Sequence, residues 1–240
     1  MSIAAVAMSP KIPWKKACVV GLGATGFSCA RYLENLGVQV SVFDSRPRPP
    51  FADRLRQEKP SIPFCLGEFD EAEFRHAEVL VVSPGVSLAD PSIQAARDAG
   101  VEIVGDIELF CRAVRRPVIG VTGSNGKSTV TKLTETLLRA AGVDVLTGGN
   151  IGRPALDLLS DPEPAFYLLE LSSFQLESTF SLVTEVAAIL NIAPDHMDRY
   201  PDLNAYAAAK TSIAGSAATL VLNRDDPALV SLAATTKAPN

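Results

Sequence analysis

RPVIGVTGSNGKSTVTKL, residues 116–133, decides the fold. Its first third, after Pro117, is apolar and β-branched and reads as a buried strand. A loop of glycine and hydroxyl residues follows, with one lysine in it. From Thr129 to Gly142 the residues suit a helix ended by glycine. A side chain in such a loop would block a phosphate, so the small residues leave backbone N–H groups free to wrap one. Lys127 would set a point charge on the terminal phosphates, and the Ser128 hydroxyl could ligate Mg²⁺. A plain surface lysine fits poorly here, because a cation at a helix N-terminus opposes the dipole unless an anion is bound. The generic phosphate loop wants a glycine five residues before Gly126. Position 121 is valine and Gly120 comes one place early, so that pattern fails by one residue.

The same plan of strand, glycine loop and helix occurs earlier. ACVVGLG (17–23) is a strand entering a turn, and Ala24–Leu36 suit a helix ended by Gly37. Gly21, Gly23 and Gly26 make a GxGxxG, which brings backbone amides and a helix N-terminus to a phosphate. Asp44 ends the next strand, 38–44, where a ribose-binding acid would stand. For Gly26 the alternative is a close strand–helix contact. Residues 77–86 read as a strand broken at Pro84-Gly85, 91–100 as a helix, 101–104 as a strand and 106–114 as a helix. Past Pro117, strands are read within 143–152, 164–174, 183–196 and 217–226, and a helix over 203–216. Strands alternating with helices imply parallel sheets and an α/β fold. The divisions expected are a loose extension (1–16), a Rossmann-like domain (17–112) and an ATPase-type domain (113–240).

Composition narrows the function. The chain has 240 residues, 47% of them apolar and 6% aromatic, with a net charge of −5. That is the profile of a globular α/β protein. No basic stripe suggests nucleic acid. No apolar run is long enough for a bilayer, and the N-terminus lacks the basic start of a signal peptide. Cys18, Cys29, Cys65 and Cys111 have no metal-ligand spacing and read as reduced, buried thiols of a cytosolic protein.

Polar groups at the ends of apolar strands are the remaining candidates. Gly148-Gly149-Asn150-Ile151-Gly152 either lets backbone approach a ligand or is an ordinary turn. Glu170 lies inside an apolar strand, and a carboxylate there calls for a metal or a charged partner. His196 sits in a polar loop after a strand, where α/β sites lie, whereas His76 reads as surface. On a helix over 203–213, Leu203, Tyr206 and Lys210 share a face, and spacing alone favours a snorkelling Lys210.

GSNGKST, GGNIG, LELSSFQLE and NIAPDHMDRYP, in this order, resemble the ATP-dependent Mur ligases, and GLGATG, SPGV and VGDIELF extend the likeness back to about residue 17. The loop of that family is TGxNGK[ST], which accounts for the one-residue misfit. The likeness is strongest to the branch that adds D-glutamate to UDP-N-acetylmuramoyl-L-alanine. It implies three domains: a Rossmann-like UDP-binding domain, a central ATPase, and a C-terminal domain that binds the amino acid. Only the first and most of the second are expected within these residues, which alone should be inactive.

The resemblance implies ATP and two Mg²⁺ ions, with Gly123, Ser124, Asn125, Gly126, Lys127, Ser128 and Thr129 around the triphosphate. Ser128 and Glu170 would hold one Mg²⁺. His196 and Lys210, the latter as a carbamate, would serve the second, so the family overturns the snorkelling preference. Ala24, Thr25, Asp44, Ser45, Arg46, Ser83 and Gly85 would bind the UDP-muramoyl substrate, with Asp44 toward the uracil. Asn150 and Gln175 would meet its sugar or peptide end. Lys127, His196 and Lys210 would carry the chemistry, in a monomer of the bacterial cytoplasm with no nucleic-acid or membrane partner. Rival readings are an NAD oxidoreductase using GLGATG and Asp44, a non-catalytic nucleotide-binding module, and a folylpolyglutamate-type ligase.

Overall fold

The computed structural model describes residues 12–235. Two five-stranded sheets, all of whose pairings are parallel, follow one another along the chain. The first contains β1 (Lys16–Val20), β2 (Gln39–Asp44), β3 (Phe64–Leu66), β4 (Val79–Val82) and β5 (Glu102–Val104), in the order β3-β2-β1-β4-β5. Helices α1 (Ala24–Asn35), α2 (Ala52–Glu58), α3 (Glu71–Arg75) and α4 (Pro91–Asp98) connect them. Helix α5 (Asp106–Ala113) leads into the second sheet.

That sheet holds β6 (Val118–Thr122), β7 (Val145–Gly149), β8 (Phe166–Glu170), β9 (Thr184–Ile189) and β10 (Ala217–Leu222), in the order β10-β9-β6-β8-β7. Its helices are α6 (Lys127–Ala140), α7 (Ala155–Leu158), α8 (Ser173–Glu177), α9 (Leu203–Thr211) and α10 (Pro227–Thr235), with a 3₁₀ turn over Ser212–Ser216. In each sheet the order reverses beside the first strand. The crevice beyond the carboxyl ends of such strands is where open α/β sheets bind ligands.

Central strands are apolar on both faces because helices cover both. Val19, Val20, Val42, Val79, Leu80, Leu168 and Leu169 are fully buried. One apolar core runs from α1 through Ile107, Leu109 and Phe110 of α5 into Leu156, Leu158 and Tyr167. Phe110 meets Tyr167 edge-on, with ring centroids 5.2 Å apart. Polar ties reinforce this junction. Asp157 of α7 accepts from Ser28 and from Arg31 Nη2 of α1, the latter at 2.7 Å. Glu108 accepts from the N–H groups of Phe180 and Ser181 at 2.7 and 2.9 Å.

The structure departs from the sequence expectations in four places. Residues 1–11 of the expected loose extension lie outside the described residues. Trp14, by contrast, is buried and donates to Glu102 Oε2 at 2.9 Å, so the following residues belong to the first domain. The helix expected over 203–216 gives way after Thr211 to the tighter 3₁₀ turn, within which Gly215 and two serines are poor helix formers. The phosphate-loop helix starts two residues early, at Lys127. All four cysteines are free, and Cys18 and Cys29 are buried, but Cys111 is only partly buried and Cys65 is exposed on the edge strand β3 rather than packed inside.

Candidate active site

The loop after β1 is shaped by contact rather than by flexibility. A β-carbon on Gly26 would lie 1.8 Å from the Gly21 carbonyl oxygen, so helix α1 packs against the turn with no room for a side chain. The close-packing role is therefore real for Gly26. Ser83 at the end of β4 donates through Oγ to the same carbonyl at 3.0 Å.

Asp44, at the tip of β2, is 2% exposed. Its Oδ2 accepts from the Leu22 N–H at 2.6 Å, and Arg46 grips both oxygens through Nε (2.9 Å) and Nη2 (2.6 Å). Burial acts to raise this carboxyl, but the Arg46 guanidinium and the backbone donors outweigh it and hold it below its usual range. Oδ2 thus braces the glycine turn and both oxygens aim Arg46, which disfavours the free ribose acceptor of an NAD site.

A cleft of about 460 Å³ opens over these groups. Ala24, Thr25, Asp44, Ser45, Arg46, Ser83 and Gly85 line it from the first domain, and Asn150 and Gln175 from the second. All nine residues expected to bind the nucleotide-sugar therefore share one cavity. A larger cavity, about 580 Å³, lies at the opposite, amino-terminal edge of the first sheet, around Lys16, Gln39 and His76.

Asn150 joins the cleft to the second loop. Its Nδ2 donates to Glu170 Oε1 at 2.7 Å, and its N–H to the Glu170 carbonyl at 2.8 Å. Gly149 before it has φ 98°, and a β-carbon there would sit 2.4 Å from the Glu170 carbonyl oxygen, so only glycine admits this approach. Glu170 is 2% exposed. Its other oxygen, Oε2, is buried with no hydrogen-bond partner. An acceptor left bare in the interior fits a cation held there. Among the described residues no group of three or more His, Cys, Asp or Glu side chains could hold a metal by itself. Any ion would have to draw ligands also from Ser128, which is exposed at the first turn of α6, from a modified lysine, or from the phosphates.

The loop 123–126 is pinned by the segment after β9. Asn125 N–H donates to Asn191 Oδ1 at 2.8 Å, and Ser124 Oγ donates to the Ala193 carbonyl at 2.9 Å and meets the Tyr206 hydroxyl at 3.0 Å. Lys127 Nζ folds onto the carbonyls of Gly123 and Ser124 at 2.9 and 3.0 Å. Lys210 Nζ reaches the same Gly123 carbonyl at 2.8 Å. Lys210 is 1% exposed, so it does not snorkel. Burial first, then the adjacent Lys127 cation, push its ammonium down to about 8 from an ordinary 10.5, against the pull of Asp195 and Glu170.

His196 stands nearby in the left-handed backbone region, φ 54°, with its ring 4.8 Å from that of Phe174 and its side chain half exposed. Sequence reasoning passed over Asn191 and Asp195. Both lie in the polar loop that had been singled out for His196, and that loop was the available signal. Arg199, also passed over, stacks on Phe174 and donates to the Val86 carbonyl at 3.1 Å, tying the loop to the first domain.

Two α/β domains thus contribute a phosphate-type loop, a buried bare carboxylate and a cleft lined from both. The chain belongs to the Mur ligase family: the family description "Mur ligase middle domain" matches residues 121–240, and "Mur ligase MurD-like, N-terminal domain" matches 15–105. It is 55% identical over 214 residues to the UDP-N-acetylmuramoylalanine–D-glutamate ligase of Nitrosococcus oceani, covering 89% of this chain and 47% of that protein. The similarly titled ligase of Methylobacillus flagellatus is 50% identical, with 88% and 47% covered. The chain thus spans about half the length of these curated relatives. Among solved structures, UDP-N-acetylmuramate:L-alanyl-gamma-D-glutamyl-meso-diaminopimelate ligase from Neisseria meningitides shares the fold at TM-score 0.60 and 19% identity, over 91% of this chain and 74% of that one. UDP-N-acetylmuramate-alanine ligase from Thermotoga maritima does so at 0.56 and 21%, over 90% and 51%.

Proposed function

We propose that this chain supplies the nucleotide-sugar and ATP sites of a ligase that joins D-glutamate to UDP-N-acetylmuramoyl-L-alanine. The observation that carries the reading is Asn150, which lines the substrate cleft and holds Glu170 at the phosphate loop. Amide formation from a carboxylate needs activation, because a carboxylate is a poor electrophile. In the proposed reaction the γ-phosphoryl group of ATP passes to the free acid of the muramoyl-alanine, the amine of D-glutamate attacks the acyl phosphate, and phosphate leaves.

The protein's part in such a transfer is alignment and charge neutralisation. Backbone amides of 123–126 and the start of α6 would cradle the triphosphate, with Ser124, Asn125 and Thr129 beside it. Lys127 would leave its two carbonyls for the β- and γ-phosphates. Arg46, Ser45, Thr25 and Ala24 would hold the uridine diphosphate end, with Ser83 and Gly85 opposite. Asn150 and Gln175 would orient the sugar and its peptide. Ser128 with Glu170, and His196 with Lys210 as a carbamate, would hold Mg²⁺, which when bound neutralises charge on the transferring phosphoryl group. The depressed Lys210 ammonium supports the carbamate, since only the neutral amine takes up CO₂.

D-glutamate recognition we assign to the part of the relatives beyond the matched half, so the 240 residues alone should bind without turning over. We place the reaction in the bacterial cytoplasm, in a monomer. No helix among the described residues is long and apolar enough to cross a membrane.

Calorimetric titration of the chain with UDP-N-acetylmuramoyl-L-alanine, with a non-hydrolysable ATP analogue, and with NAD tests the assignment. Binding of the first two, each at one site, is expected. Tight NAD binding with no response to the muramoyl nucleotide would overturn it.

A further inference from the structure

Asp106 opens helix α5, and no ion pair neutralises it among the described residues. It is 2% exposed. Its Oδ2 accepts from Gln175 Nε2 at 2.9 Å, while Oδ1 is buried with no hydrogen-bond partner, the backbone N–H groups of Asp106 and Ile107 lying near enough to favour the charged carboxylate. Gln175 is itself 2% exposed and sits at the edge of the substrate cleft. The far end of its amide is also fixed, since Oε1 accepts from the Ser172 N–H at 3.1 Å. Helix α5 is fastened in turn, through Gly105 N–H to the Ser178 carbonyl at 2.9 Å and through Glu108 to residues 180–181.

An ionised carboxylate can only accept, so the group facing it must be the NH₂ end of the amide. The opposite orientation would set two acceptors against each other in a buried site, and would also strip Ser172 N–H of its partner. We infer that Asp106 is a positioning residue for Gln175, locking its amide so that the remaining N–H is what the cleft offers to its ligand. The cleft then selects an acceptor at that point, such as a sugar hydroxyl oxygen, an amide carbonyl or a carboxylate. A buried, unpaired carboxylate held against one amide has this as its evident work. Burial raises the Asp106 carboxyl only to about 6, so the group remains mostly ionised at neutral pH despite its desolvation. The elements packed around it carry the carboxylates Asp157 on α7, Glu34 on α1, Glu177 on α8 and Glu108 on α5, the cations Arg31 on α1 and Arg112 on α5, and the thiols Cys29 of α1 and Cys111 of α5.

The inference rests on the substrate reading above, and the test separates the two. Asp106→Asn, Gln175→Ala and the double variant are titrated with UDP-N-acetylmuramoyl-L-alanine. The Gln175 side-chain amide is followed by ¹⁵N NMR, assigned as the pair lost in Gln175→Ala. Asparagine can donate or accept, so Asp106→Asn leaves the Ser172 N–H as the one remaining constraint on the amide orientation. Expected are about tenfold weaker binding for each single variant, no further loss in the double variant, and Gln175 amide signals that shift and exchange faster with water in Asp106→Asn. Wild-type-like binding by Asp106→Asn, additive losses in the double variant, or unmoved amide signals would each overturn it. A wild-type chain that ignores the nucleotide-sugar would contradict the substrate reading instead, and the ligand-free amide spectrum would still decide for or against the Asp106–Gln175 lock.

Discussion

Asp106→Asn should make the folded chain more stable at pH 8 while impairing its site. Burial raises the Asp106 carboxyl to about 6 from an ordinary 3.8, with the Gln175 amide first and the backbone N–H groups of Ile107 and Asp106 next only partly offsetting it. Keeping the group ionised in the folded state therefore costs ~3 kcal/mol at pH 8. The sign follows from proton counts. Between about pH 4 and pH 6 the folded chain retains a proton that the unfolded chain has lost, so this group's contribution to stability falls as pH rises through that window and is flat above it. Asparagine is neutral throughout and nearly the same shape, so the variant lacks the fall. Urea unfolding at a series of pH values, with linear extrapolation to water, reads the difference directly. The variant should match wild type near pH 4 and exceed it by ~1–3 kcal/mol at pH 8, the range allowing for a weaker bond to Gln175. A difference that does not change with pH, or a variant less stable at pH 8, would refute the reasoning. Greater stability with weaker nucleotide-sugar binding is the pattern of a charge retained for function.

Three other outcomes follow from the geometry. In a full-length protein containing this region, Lys127→Ala should slow ATP turnover by roughly 10²–10³-fold, while calorimetry shows unchanged affinity for the muramoyl nucleotide; near-normal turnover would end its assignment to the phosphates. Glu170→Gln preserves the acceptor for Asn150 but removes the charge of the bare oxygen. A Mn²⁺ titration followed by electron paramagnetic resonance should weaken at least about tenfold, the ~1.4 kcal/mol that a hydrogen-bond-scale contact to an ion exceeds, and undiminished Mn²⁺ binding would remove Glu170 from the cation site. For Lys210, lowered to about 8, the folded chain holds fewer protons than the unfolded chain up to about 10.5, so its contribution to stability rises with pH across that window. Lys210→Met should flatten the rise seen by urea unfolding between pH 8 and pH 10, and an unchanged slope would show that the amine titrates normally.

What was legible in the sequence was what local physics dictates. Apolar runs ending in glycine loops marked β1, β6 and β7, and a carboxylate in an apolar strand marked Glu170, because each departs from what its neighbours demand. Elements of three to five residues, such as β3, α7 and α8, were too short to show a period. Lys210 was misjudged on spacing because Leu203–Thr211 is alanine-rich and carries little contrast between faces; its burial is set by Tyr206 and the phosphate loop across the fold. Asp106 was invisible for a different reason. Acids are common in the first turn of a helix, and nothing local shows that a glutamine 69 residues away closes over this one. The sharing of one cleft by residues 24 and 175 is likewise tertiary, created by the apolar packing of α1, α5 and α7.

The most direct measurement is a crystal structure of the chain with UDP-N-acetylmuramoyl-L-alanine, a non-hydrolysable ATP analogue and Mg²⁺ together. The account predicts the nucleotide-sugar in the cleft between Arg46 and Asn150, the triphosphate on Gly123–Thr129, and the free acid of the peptide next to the terminal phosphate on the Glu170 side. Ligands lodged in separate cavities, with Asn150 and Glu170 touching neither, would contradict it.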